Sequence, residues 1–183
     1  DYQLVQSNPD KYMKAIMDQK PDLQTLEGAL YSGRFISVFP GILSARMYLK
    51  QQNHNSEKLV EKNVEPLATM NWLLGGEYNK NHIDAAYKKL LMNQPHDSIC
   101  GCSIDDVHKD MENRTDLVNT LLNDELDSVL TSVASKINTN DSTGLIVFNT
   151  NPYPRDMVLE HEGVITVKNV PAYGYKVVKD NEK

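Results

Sequence analysis

The chain has 183 residues, of which 40% are hydrophobic and 24% charged, as in an ordinary globular protein of one domain or one and a half. Its net charge of −6 and sequence pI near 5.3 would repel phosphate backbones, so we expect no nucleic-acid partner. The longest apolar runs, such as residues 145–148, are far shorter than the roughly 20 apolar residues that a membrane helix needs, so we expect no membrane partner.

The start of the sequence and its cysteines indicate origin and compartment. The first residue is Asp1 rather than Met, and neither a charged nor an apolar leader segment follows it. We therefore expect an internal fragment of a longer protein. Cys100 and Cys102 are one residue apart and cannot easily meet disulfide geometry. Unpaired thiols favour a reducing, cytoplasmic compartment.

Residues 1–43 combine one helix with irregular chain. Asn8 is a plausible cap and Pro9 suits a first turn, which predicts a helix over residues 9–19. Glycines and prolines then interrupt the pattern, with room for a short strand at residues 35–39. Such a loop-rich segment is typical of the edge of a larger domain.

Residues 44–138 predict three helices. The first begins with Ser44 as its cap and stops at Gly75 and Gly76. Its polar residues 53–55 favour a bend, and Pro66 should kink it. Its apolar residues recur at helical spacing, which places these side chains inward: Leu49, Leu59, Val60, Val64, Leu67, Ala68 and Leu74.

The second helix is predicted at residues 79–92, and the third runs from Ser103, with Asp106 completing a variant capping box, to about residue 137. Three helices with apolar stripes and short connections imply a bundle. The inward residues of the second helix are Ile83, Ala86, Tyr87, Leu90 and Leu91. Those of the third are Ile104, Val107, Met111, Leu117, Leu121, Leu126, Val129, Leu130, Val133 and Ile137.

Residues 139–183 change to β character. A polar linker precedes four β-rich runs at residues 145–148, 157–159, 164–167 and 175–178. Four short strands with unpaired edges would be marginal alone, so this segment is interpreted as the opening of a β-domain. The predicted fold class is mainly α with a β appendage.

The segment with the clearest chemistry joins the second and third helices. Pro95 should end the second helix, so His96 and Asp97 fall in the connection. A histidine in a fixed loop can bind a metal through neutral imidazole, and an aspartate can orient its ring or bind substrate hydroxyls. The small residues around Cys100 and Cys102 would let the backbone approach its neighbours closely.

Plainer interpretations apply to the same residues. A His-Asp pair at a helix entry is more often a cap and a surface residue than a metal site. Two thiols fall short of the usual four zinc ligands, so half-buried packing residues are the stronger interpretation of Cys100 and Cys102. We expect His108 on the surface of the third helix. The other histidines, expected to be solvated, are His54, His82 and His161.

The string Asn-Gln-Pro-His-Asp-Ser-Ile-Cys-Gly-Cys-Ser-Ile-Asp at residues 93–105 closely resembles the signature of bacterial glycoside hydrolase family 38 α-mannosidases. Residues 41–51, followed by Glu65-Pro66-Leu67, are similar to the family's entry into its helical bundle. Residues 145–149 and 171–175 are similar to the start of its C-terminal β-sandwich. The resemblance covers most of the chain in the family's order.

The resemblance implies three domain assignments and several residue roles. Residues 1–43 would be the edge of a catalytic α/β barrel, 44–138 the middle three-helix bundle, and 139–183 the start of a β-sandwich. The family binds one Zn²⁺, and the role of its last zinc ligand carries over to His96. The role of a contact to mannose hydroxyls carries over to Asp97, and Arg46 matches a structural position at the bundle entry.

The activity implied is hydrolysis of α-mannosidic bonds, with retention, in glycans or in mannosyl-glycosides such as mannosyl-glycerate. The nucleophilic Asp and the other zinc ligands would lie upstream, so we expect the chain alone neither to hydrolyse mannosides nor to hold zinc specifically. The implied partners are an α-mannoside substrate and a second copy of the parent in a homo-oligomer. The alternative from another class is a non-catalytic helical interaction module.

Overall fold

The computed structural model describes residues 3–28, 33, 37–139, 143–161 and 163–179. They belong to two compact units, Asp1–Pro40 and Gly41–Lys183, and each unit is described by itself. In the described part of the chain, no helix combines the length and the apolar character required to cross a membrane. The division into barrel edge, bundle and β-sandwich stays a prediction.

In the first unit, helix α1 spans Pro9–Met17. The Asn8 side chain accepts a hydrogen bond of 2.9 Å from the backbone N–H of Lys11, which confirms the predicted cap. Of the predicted strand at 35–39, Phe35 and Ile36 lie outside the described residues, and residues 37–39 form no strand. A short 3₁₀ turn, Pro40–Leu43, crosses the junction with the second unit.

The first arm of the bundle contains α2 (Met47–Lys58), a π-helix (Leu59–Val64) and α3 (Glu65–Leu73). The predicted Ser44 cap is wrong. Arg46 is the N-cap, with a left-handed φ of 46°, and its side chain makes no capping bond. The Arg46 side chain instead donates to the Gly101 carbonyl, in the connection that carries the His-Asp pair.

Of the two irregularities predicted for this arm, the bend at residues 53–55 is absent. The chain stays helical through residues 53–55, where the Asn53 amide donates to Glu57 at 2.9 Å, so the expected bend there is wrong. A π-helix ends at Val64, two residues before Pro66, and the Glu65 N–H bonds to the carbonyl of Val60. Because proline lacks an N–H and its ring clashes with the preceding turn, a widened turn accommodates it.

The other helices are α4 (Lys80–Leu91), α5 (His96–Ile99, a single turn) and α6 (Asp105–Ala134). Asn79 caps α4 by accepting from the His82 N–H at 3.4 Å. The predicted Ser103 capping box is wrong: Ile104 is the N-cap of α6, and no side chain caps it. The Ser103 hydroxyl donates to the carbonyl of Asp97 instead, at 2.9 Å.

The bundle core confirms most of the predicted stripes. Four predicted inward residues are exposed instead, namely Leu74, Leu91, Ile104 and Leu117. Leu91 follows the core residue Leu90, and Leu117 precedes the core residue Val118. Consecutive helical residues point about 100° apart, so Leu91 and Leu117 face outward when their neighbours face the core. The buried core comprises Val60, Val64, Leu67, Ala68, Ile83, Ala86, Leu90, Val118, Leu122, Val129 and Val133.

The β region confirms the four predicted strands: β1 (Gly144–Asn149), β2 (Arg155–Glu160), β3 (Val164–Val170) and β4 (Gly174–Lys179). Antiparallel pairing joins β1 to β4 and β2 to β3. Val147, Val167, Val170 and Val178 form a second small core. Phe148 packs on the bundle core, so the strands are attached to the helices.

Candidate functional site

The connection between α4 and α6 is anchored at its start by Asn93. This side chain is buried and donates to the Met111 carbonyl at 3.0 Å and to the Thr115 hydroxyl at 3.1 Å. Arg114 donates to its amide oxygen at 2.7 Å. A buried amide with all these partners costs little to desolvate and fixes one end of the connection on α6.

The other end of the connection is pinned to the start of α2. Gly101 has a left-handed φ of 84°, and its carbonyl accepts from Nε of Arg46 at 3.3 Å. Lys50 joins the two segments by donating to the carbonyls of Ala45 at 2.7 Å and Ile99 at 2.9 Å. Arg46 and Lys50 thus bond to the carbonyls of Gly101 and Ile99, which follow or end a single helical turn and have no partner within it.

Arg46 also pairs with Asp105, Nη2 to Oδ1, at 2.6 Å. The Asp105 carboxylate favours the charged guanidinium and raises the pKa of Arg46 above its ordinary value. Arg46 therefore connects the entry of the bundle, the connection and the first turn of α6. This position agrees with the structural role expected for it.

His96 and Asp97 occupy the first two positions of α5, and their side chains are 93% and 67% exposed. Nε2 of His96 lies 3.3 Å from Oδ1 of Asp97. The predicted placement in the connection holds, although the pair belongs to a single helical turn. The arrangement presents one nitrogen donor and one carboxylate, side by side, at an open rim of the bundle.

The two cysteines lie beside this pair. Their Sγ atoms are 3.3 Å apart, and the Cys102 Sγ is 3.5 Å from Oδ1 of Asp97. The neighbouring Cys100 thiol, then burial and then Asp97, raise the pKa of the Cys102 thiol to about 11. Cys100 is half-buried as expected, but Cys102 is exposed, so the packing interpretation is wrong for Cys102.

His108 is buried, and its expected place on the surface of the third helix is wrong. Its Nε2 lies 3.1 Å from the Ser103 carbonyl, which can only accept, so Nε2 carries the hydrogen. Nδ1 has no hydrogen-bond partner among the described residues. The sequence held the signal: His108 precedes Met111, Thr115 and Val118 at helical spacing, all on the buried face.

The other histidines lie elsewhere. His54, His82 and His161 are all exposed, as expected. About half of the His82 side chain is accessible, and its Nδ1 lies 3.5 Å from Oε2 of Glu125. Glu125 is buried on α6 and also accepts from the Asn79 amide at 3.1 Å. Sequence analysis missed it because an acidic residue inside a helix pattern is ordinarily assigned to the solvent face.

The fold and the site together define a class: a helical bundle that holds a short polar connection rigidly at its rim and leads into β strands. Residues 37–133 match the family model described as the alpha mannosidase middle domain. The chain therefore belongs to the glycoside hydrolase family 38 α-mannosidases, through their middle domain.

The relatives agree with this family. A protein of Halalkalibacterium halodurans described as a "Putative mannosylglycerate hydrolase" is 31% identical over 163 residues, covering 85% of this chain. A protein in glycosyl hydrolase family 38 from Enterococcus faecalis is 35% identical with a TM-score of 0.62. An α-mannosidase from Enterococcus faecalis V583 is 36% identical with a TM-score of 0.63.

Both structures cover 85% of this chain. The chain in turn spans 18% of the length of each of these three relatives.

Proposed function

We propose that this chain is part of a retaining, zinc-dependent α-mannosidase, in which it forms one wall of the active site. The observation that carries the proposal is the exposed His96–Asp97 pair on a connection fixed at both ends. Rigid support of this kind is what a binding residue needs to hold its geometry. The family of the chain supports hydrolysis of a mannosidic bond.

The exposed imidazole fits the role of a zinc ligand. The His96 side chain is 93% exposed, so one ring nitrogen can reach an ion held mainly by other residues. The remaining ligands would come from outside the described residues. When bound, Zn²⁺ would contact sugar hydroxyls beside the reacting carbon and orient the ring.

Asp97 would accept hydrogen bonds from the mannose hydroxyls. Its Oδ1 lies 3.3 Å from Nε2 of His96, so both side chains can face the same substrate and ion. The Ser103 hydroxyl fixes the Asp97 carbonyl at 2.9 Å, which limits movement of the backbone below it. Binding and orientation are thus the contributions of this chain, while the nucleophile and the acid/base group belong to the proposed barrel.

The substrates we propose are α-mannosides, either in glycans or as mannosyl-glycerate. Two of the relatives, described as an α-mannosidase and as a putative mannosylglycerate hydrolase, act on substrates of this class according to their descriptions. The unpaired thiols fit a cytoplasmic location.

The test uses the full-length parent protein with an aryl α-mannoside and with mannosyl-glycerate, each with chelator and with added Zn²⁺. His96→Ala should lower kcat/KM by about 100-fold or more, and Asp97→Ala should raise KM, because both remove direct contacts. His54→Ala is the matched control, since it removes an exposed histidine from α2. The free energy of unfolding of every variant should stay within about 0.5 kcal/mol of that of the natural protein.

If His96→Ala is as active as the natural protein, His96 is no zinc ligand and the connection only joins two helices. If the parent cleaves neither substrate, the fold has been kept and the chemistry has diverged.

A further inference from the structure

We propose that Asp97, Cys100 and Cys102 form a binding site for a thiophilic metal cation, separate from the zinc site proposed for His96. The three potential ligand atoms lie within 4.8 Å of one another. The expectation that the chain alone does not hold zinc specifically rested on His96 as a lone ligand and on two thiols that fall short of four ligands. The sequence did not show that the Asp97 carboxylate lies beside both thiols.

Two of the three distances between the ligand atoms are close to those that one ion requires. In a tetrahedral site with Zn–S near 2.3 Å and Zn–O near 2.1 Å, two sulfurs lie about 3.8 Å apart and a sulfur and an oxygen about 3.6 Å apart. Here the sulfurs are 3.3 Å apart, and the Cys102 sulfur is 3.5 Å from Oδ1 of Asp97. An opening of about half an ångström between the sulfurs would complete the geometry.

The charge of the cluster also favours a cation. Two thiols and a carboxylate converge there, and all three can bind a cation as anionic ligands. A divalent cation would favour this arrangement because it replaces the protons of coordinating thiols. Two positive side chains lie nearby. Arg46 donates to the Gly101 carbonyl, and Lys50 donates to the carbonyls of Ala45 and Ile99. Among the described contacts, neither cation bonds to a thiol.

Access is open from solvent. Cys102 and Asp97 are exposed and Cys100 is half-buried, so three protein ligands would leave the fourth position to water or another small ligand. A site of this kind suits soft d¹⁰ cations such as Zn²⁺ and Cd²⁺. Asp97 is also the proposed sugar contact, so an ion bound to it would compete with the mannoside. This competition rests on the proposed function, whereas the metal site does not.

The test titrates the full 183-residue chain, reduced with a phosphine and stripped with chelator, with Cd²⁺ as the probe. We expect a thiolate-to-cadmium charge-transfer band in the ultraviolet that saturates at one ion per chain. Cys100→Ser and Cys102→Ser should each abolish the saturable band, and Asp97→Asn should raise Kd about 10-fold or more. His96→Ala should retain the band, and circular dichroism should show unchanged helix content in every variant.

Absence of the band in the natural chain would overturn the proposal. So would saturation at one ion per two chains, or a band that survives either serine substitution. Loss of the band in His96→Ala would merge this site with the proposed zinc site and refute their separation. None of these readouts uses mannosidase activity, so failure here is distinct from failure of the proposed function.

The competition is tested in the parent enzyme. With Zn²⁺ supplied at one equivalent, enough for the site proposed at His96, added Cd²⁺ should inhibit mannoside hydrolysis. Cys100→Ser should lower the sensitivity to Cd²⁺ at least about 10-fold. Inhibition that is equal in Cys100→Ser would show that Cd²⁺ acts elsewhere and would refute the competition.

Discussion

Replacing Gly101 by alanine should loosen the connection that carries the proposed site. At φ of 84° an L-residue is strained, which costs about 1–2 kcal/mol. An added Cβ would also lie 3.2 Å from the Ala45 carbonyl oxygen and 3.4 Å from Cβ of Arg46. Both neighbours belong to the turn before α2, which cannot move without breaking its bonds to Lys50, so crowding adds about 1–3 kcal/mol.

Gly75→Ala is the matched control. Gly75 has nearly the same backbone, with φ of 78°, but nothing lies within 4 Å of its added Cβ. Gly75→Ala should therefore lose only the stability that backbone strain costs, about 1–2 kcal/mol, against about 2–5 kcal/mol for Gly101→Ala. The difference between the two variants measures how tightly the connection packs on the start of α2.

Urea unfolding can be followed by the fluorescence of Trp72, the single tryptophan of the chain, which lies in α3. Thermal unfolding gives a second measure, since 1 kcal/mol shifts Tm by about 2–4 °C in a protein of this size. If Gly101→Ala loses no more stability than Gly75→Ala, the connection does not pack on Ala45 and Arg46, and the rigid support inferred for the His-Asp pair is refuted.

Three further changes test buried contacts. His108→Ala should lower the free energy of unfolding by about 2–4 kcal/mol, through lost volume and an unpaired carbonyl, whereas His54→Ala should change it by less than about 0.5 kcal/mol in the same urea experiment. Glu125→Ala should cost about 1.5–3 kcal/mol by removing a charge-assisted hydrogen bond at the start of α4; a change near zero in urea melts would refute that contact. Tyr87 donates to Glu65 at 2.8 Å, and burial first, then this bond, raises its pKa. Its folded pKa lies above the unfolded value of about 10, so its contribution is present below that pH and is lost as pH rises through the folded pKa. Tyr87→Phe should therefore flatten the fall of Tm measured above about pH 10, and an unchanged slope would contradict this.

Local signals explain which elements could be predicted. Asn8 caps α1 through a bond to a residue three positions away, and the strand runs carry their own β-rich composition. The positions of single features failed where a side chain takes a partner other than the one that the local pattern favours. Ser103 has the composition of a cap, yet its hydroxyl bonds to the Asp97 carbonyl.

The sequence by itself determined the family resemblance, the three-helix pattern and the presence of His96 and Asp97 in one connection, because each depends on neighbouring residues or on regular spacing. Only the tertiary structure decided that this connection is pinned to α2, since Lys50 reaches a carbonyl 49 residues away. It also decided that both thiols turn towards Asp97. Contacts of this kind depend on how the helices pack, and a periodic pattern specifies which face is apolar but not which residues meet across it.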